Sequence, residues 1–96
     1  MINDDTTMYV CGFVSDGGVG GFEWRLDRAE IDRVRAEWLA DGDSDVSDVK
    51  EITVDQLQLA PGDYATESIT DAIDQWPELW EPTLGQNRTA PVPTPA

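Results

Sequence analysis

From Thr7 to Val14 apolar side chains alternate between two faces, Met8, Val10 and Val14 on one and Tyr9, Cys11 and Phe13 on the other. That period of two predicts a strand. Ser15 to Gly21 follows with four glycines in seven residues, a turn with positive φ angles available. Phe22, Trp24 and Leu26 then alternate with Glu23 and Arg25, so a second strand closes a β-hairpin. Asp27 opens a first helix, with Glu30 three residues on and Leu26 and Ile31 placed as a hydrophobic staple. Ile31, Val34 and Trp38 form its buried stripe, and Gly42 is the expected stop. Glu30–Arg33, Asp32–Arg35 and Arg33–Glu37 have the spacing of intrahelical ion pairs.

Asp41 to Asp48 reads as a solvated acidic loop. Asp at 41, 43 and 45 matches the start of an EF-hand calcium loop, but Val46 replaces the sixth-position Gly and Ile52 the twelfth-position Glu. Val49 to Val54 predicts a third strand with Ile52 and Val54 inward. Leu57 and Leu59 are out of phase with it, so a bulge, a turn or a separate segment intervenes near Asp55 and Gln56. Ala60 to Asp63 is a turn, and Tyr64 to Thr66 reads as one more short strand.

The second helix runs from Ser68, an N-cap answered by Asp71, along the stripe Ile69, Ala72, Ile73 and Trp76. Pro77 turns Trp76 away from helical dihedrals and closes it. Glu67, Asp71, Asp74 and Glu78 would share one ridge of about 16 Å with no base among them. Like charges at that spacing cost about 0.2–0.5 kcal/mol per pair, so the row is a candidate working surface. The expected fold is α+β: the hairpin plus one or two further strands in a small antiparallel sheet, with two helices. Residues 1–84 form one domain, and residues 85–96, with Pro91, Pro93 and Pro95, form an extended or disordered tail.

Composition sharpens this picture. A 40% hydrophobic content with four Trp supports a folded chain. The net charge is −14, of which residues 36–96 carry −11. Such a field disfavours nucleic acid and anionic membranes as partners and favours a basic groove on a protein that itself binds nucleic acid. Salt adaptation, or a genome that favours Asp over Lys, would also yield an acidic chain. With no His and one Cys, neither a His-based triad nor a thiolate zinc site can be built, and no phosphate-loop fingerprint appears. No metal or cofactor is therefore expected, and the expectation is a binding protein, not an enzyme. The longest apolar run, Met8 to Val14, is too short to span a bilayer, and the acidic start is unlike a signal peptide, which points to the cytoplasm.

Glu67-Ser68-Ile69, opening an acidic amphipathic helix that ends at a Pro, resembles the Glu-Ser-Ile signature of protein inhibitors of uracil-DNA glycosylase. These small acidic proteins, phage-borne in the best-known cases, occupy the enzyme's DNA groove. The resemblance covers about a dozen residues. It implies a DNA mimic whose partner is uracil-DNA glycosylase, with Glu67 and Ser68 at the catalytic face, Ile69 supporting them, and Asp71, Asp74 and Glu78 standing for phosphates. It also implies an apolar pocket for a side chain of the enzyme's intercalating loop, for which Ile73, Trp76, Leu79 and Trp80 are the candidates. Two other readings keep the charge and dispense with the triplet. One is a mimic aimed at another nucleic-acid-binding protein such as a restriction or CRISPR nuclease, and the other is an acidic immunity or interaction module.

Overall fold

The computed structural model describes residues 2–15, 17–42, 44–83 and 86–87. Strand β1 (Thr7–Ser15) is the centre of the fold. Its even positions Met8 and Val10 are wholly buried on one face, and Cys11 is wholly buried on the other. A strand covered on both faces needs a near-continuous apolar run, which is what Met8 to Val14 supplies. β2 (Gly20–Arg25) pairs antiparallel along one side of β1, with Cys11 opposite Glu23 and Val10 opposite Trp24. The hairpin tip turns through Gly18 at φ 82°, and the Ser15 amide donates to the Val19 carbonyl at 2.8 Å.

The other side of β1 is shared by two short strands. β3 (Ser44–Val46) pairs with Phe13 to Ser15, and β4 (Lys50–Thr53) with Thr7 to Val10, both antiparallel. Ser47 pins the gap between them. Its amide donates to the Gly12 carbonyl and its Oγ accepts from the Gly12 amide, both at 2.9 Å. Its carbonyl accepts from the Cys11 thiol at 3.2 Å and from Arg35 Nε at 3.0 Å. Burial pushes the Cys11 thiol above its ordinary value, so it is a packed donor and not a reactive thiolate.

Helix α1 (Arg28–Asp41) covers the face bearing Cys11 and Val46, burying Ile31, with Trp38 and Leu39 packed alongside. Helix α2 (Thr66–Asp74) covers the opposite face, where Ile69 and Ile73 meet Met8, Val10, Ile52 and Val54. The fold is thus α+β, a four-stranded antiparallel sheet between two helices.

Several expectations change. The acidic stretch 41–48 is not a solvated loop: β3 lies within it, and Ser44, Asp45 and Ser47 are buried. Val46 anchors this polar strand in the core below α1, and β1 pairs with its inner side. The outer edge of β3 is held by the Gln86 carbonyl, which accepts from the Val46 amide at 2.9 Å, and by Asn87 Nδ2, which donates to the Val46 carbonyl at 2.9 Å. The packed unit therefore reaches Asn87, past the expected limit at residue 84, while residues 88–96 lie outside the described residues.

The third strand stops at Thr53, and Val54–Leu57 form a 3₁₀ turn that keeps Val54 buried. Gln58 at φ 55° reverses the chain after it, which is the physical origin of the phase shift at Leu57 and Leu59. Tyr64 to Thr66 is no strand: Thr66 already begins α2, and the Tyr64 hydroxyl donates to Asp4 Oδ1 at 3.0 Å. Asp27 caps α1 as expected, accepting from the Ala29 amide at 2.9 Å, and Gly42 ends it at φ 75°. Leu26 stays 46% exposed while Ile31 is wholly buried, so no staple encloses Leu26. None of the three expected intrahelical ion pairs forms; Arg28 pairs with Asp32 at 2.9 Å, and Arg35 reaches Asp48 at 3.7 Å.

Candidate acidic interface

α2 starts two residues before the expected cap. Ala65 holds the N-cap position with no side-chain cap, and Ser68 lies inside the first turn. Its Oγ donates to Asp63 Oδ2 at 2.7 Å. Asp63 follows Gly62, whose φ of 80° turns the chain so that the carboxylate reaches back to the helix. A charge-assisted bond of this kind is stronger than a neutral cap bond, and it diverts the hydroxyl from capping. Asp71 consequently has no capping partner.

Glu67, Asp71 and Asp74 are exposed on α2, and among the described residues none of their carboxylates enters a hydrogen bond or ion pair. Glu78 is exposed too but does not continue their ridge. Trp76, at φ −126° and ψ 72°, breaks the helix, and Pro77 starts a 3₁₀ turn, Pro77–Leu79, that carries Glu78. The helical row thus ends at Asp74, seven residues from Glu67 and about 10 Å along the axis. That length corresponds to roughly three phosphates of one DNA strand, at about 3.4 Å each.

The apolar residues of the expected site divide. Ile69 and Ile73 are wholly buried and Leu79 nearly so, all within the core beneath α2. Their side chains are committed to the core. Trp80 is half-buried: it lies 5.2 Å from the Phe22 ring and donates through Nε1 to the Ile73 carbonyl at 2.9 Å. Its backbone crosses so close to β1 that a Cβ on Gly12 would stand 2.1 Å from the Trp80 carbonyl oxygen. Glycine is required at that crossing.

Of the four pocket candidates, Trp76 borders an open groove of about 640 Å³ between α2 and the chain from Gln56 to Ala60, at the end of the Val54–Leu57 turn. Leu57, Leu59, Ala72 and Trp76 give it apolar walls, and Gln56, Gln58, Gln75, Ser68 and Asp71 supply its polar lining. The groove was hidden in the sequence because its far wall depends on the chain reversal at Gln58. The out-of-phase Leu57 and Leu59 were its one legible sign.

A further acidic group adjoins the start of α2. The Asp55 amide donates to the Asp4 carbonyl at 3.1 Å, and Tyr64 holds the Asp4 side chain. That bond to Asp4, its largest cause, raises the Tyr64 phenol above its ordinary value. Among the described residues no three His, Cys, Asp or Glu side chains are placed to hold a metal ion, and Asp43 lies outside them. No described helix is long and apolar enough to cross a membrane. No protein-family model, curated protein or solved structure matches the chain.

Proposed function

We propose that this protein is an acidic DNA mimic that inhibits uracil-DNA glycosylase by occupying the enzyme's DNA-binding groove. The observation that carries this reading is the exposed, base-free row Glu67, Asp71 and Asp74 beside an open groove that mixes apolar walls with a polar rim. A DNA-binding cleft offers amides, hydroxyls and cationic side chains that hold phosphates. Carboxylates accept the same bonds, and charge-assisted ones are the stronger kind. The groove against Trp76 suits an apolar side chain projecting from such a cleft, the part that the resemblance to the inhibitor family calls for. Of the triplet, Glu67 is free for direct contact, Ser68 is oriented by Asp63, and Ile69 anchors the helix from below. In this reading the protein works in the cytoplasm beside its target, that of the host cell if a phage encodes it.

The engagement of Ser68 and Ile69 within the fold favours one second reading, a mimic that uses the charge without the triplet against another nucleic-acid-binding protein. A uracil-excision assay with equimolar protein separates the two. The glycosylase reading predicts arrested excision, restored by Glu67→Ala. Excision that proceeds unhindered leaves only the second reading. Asp4 is not a neutral control, because Tyr64 ties it to the approach of α2. Asp32, paired with Arg28 on the other helix, serves that purpose.

A further inference from the structure

β2 is an edge strand, and among the described residues no strand pairs with its outer side. Gly12 gives both its amide and its carbonyl to Ser47, on the β3/β4 side of β1. Antiparallel ladders alternate, so Cys11 turns its backbone groups towards its opposite number Glu23. Phe22 and Trp24 therefore direct theirs outward. Among the described residues only the Trp24 carbonyl finds a partner there, Arg25 Nη1 at 2.9 Å, and the same guanidinium nitrogen bonds Glu23 Oε2 at 2.7 Å. A cavity of about 430 Å³ lies along this edge, between Glu30 of α1 and Thr66 and Thr70 of α2. Leu26, at 46% exposure, opens onto it.

We propose that a second copy of this chain pairs with the β2 edge, antiparallel and about a two-fold axis through Trp24. Outward-facing residues must oppose one another, which restricts the register to steps of two. With Trp24 opposite Trp24, Glu23 meets Arg25 of the second copy, and Arg25 meets its Glu23. Phe22 and Leu26 oppose each other on the other face, which covers the exposed leucine. The register shifted two residues one way sets Glu23 against Glu23, and shifted two the other way sets Glu23 against Asp27 and Arg25 against Arg25, so charge selects the first. The flank is nearly balanced in charge: from residue 20 to residue 30, Arg25 and Arg28 stand against Glu23, Asp27 and Glu30. α2 turns threonines, not its carboxylates, towards the joint. In pairing, Arg25 releases the Trp24 carbonyl to the neighbouring ladder and exchanges its own Glu23 for that of the second copy. The two-fold axis stands perpendicular to the sheet, so both acidic helices lie on one face of an eight-stranded sheet.

Sedimentation equilibrium of the full chain over roughly 10 μM to 1 mM, the range where small interfaces associate, reads this directly. The expected result is a shift from 10.6 kDa towards about twice that mass. Arg25→Glu sets like charges across the joint and weakens association by about tenfold or more. Glu23→Arg with Arg25→Glu restores the complement, and association returns to within about threefold of the parent. Amide exchange at Phe22 and Trp24 slows as the parent is concentrated, a readout that needs no variant. A chain that stays monomeric at 1 mM, a dimer indifferent to Arg25→Glu, or unchanged exchange at both amides overturns the proposal.

Discussion

Neutralising the row on α2 should make the protein more stable and less able to bind. Glu67 and Asp71 stand four residues apart, Asp71 and Asp74 three, and each like-charge pair costs about 0.2–0.5 kcal/mol. Asp74 is also the last helical residue, where a carboxylate meets the negative end of the helix dipole at a cost of about 0.3–1 kcal/mol. Asp71→Asn with Asp74→Asn removes both pairs and the dipole clash. The gain is roughly 0.7–2 kcal/mol at low salt, the sum of those terms. Urea unfolding should show a higher midpoint with an unchanged slope, and the Tm should rise by about 4–8 °C per kcal/mol. At 1 M salt, where the screening length falls to about 3 Å, the difference should largely vanish. Glu67 is left in place because near the helix start its charge is favourable. A double variant no more stable than the parent at low salt would refute the reasoning, since the row would then carry no cost for a binding role to explain.

Gly12→Ala should destabilise by about 1–3 kcal/mol or more, because the new methyl meets Trp80 backbone that has no rotamer to yield, with near-ultraviolet circular dichroism of the tryptophans lost in parallel. Ile73→Ala should cost about 2–5 kcal/mol by chemical denaturation, as expected of a core residue and not of a pocket lining. Trp76→Ala should cost less stability than that and more inhibition, judged by excision titrated alongside unfolding. Stability should fall at alkaline pH. Cys11 and Tyr64 are raised in the fold and favour their neutral forms, so their contribution is whole below the unfolded pKa values, near 9 and 10, and is lost as pH climbs through the folded ones. Cys11→Ala should flatten the first part of that decline in a pH series of urea midpoints.

The central strand was legible because both of its faces are apolar, and a period of two survives whatever covers it. Helix α1 was legible from its ends, Asp27 and Gly42, whose roles are local. Its ion pairs were not, because Arg35 turns to Ser47 and Asp48, contacts that exist only once β3 is in place. β3 itself had no pattern to show: Ser44 and Asp45 are polar, and pairing with β1 buries them. In the candidate site the stripe of α2 was readable and its start was not. Asp63, five residues away, competes for Ser68 through a turn that composition marked but could not orient. Pro77 was read as the end of the helix, and the same break removes Glu78 from the ridge that the spacing alone suggested.

The most direct measurement is competition for the glycosylase between this protein and a labelled DNA duplex, followed by fluorescence anisotropy. If the exposed acids of α2 stand in for phosphates, one equivalent of protein releases the duplex, and Asp71→Asn with Asp74→Asn needs at least about tenfold more to do so. Duplex that stays bound in the presence of excess protein, or release that is equally efficient with the neutralised helix, would contradict it.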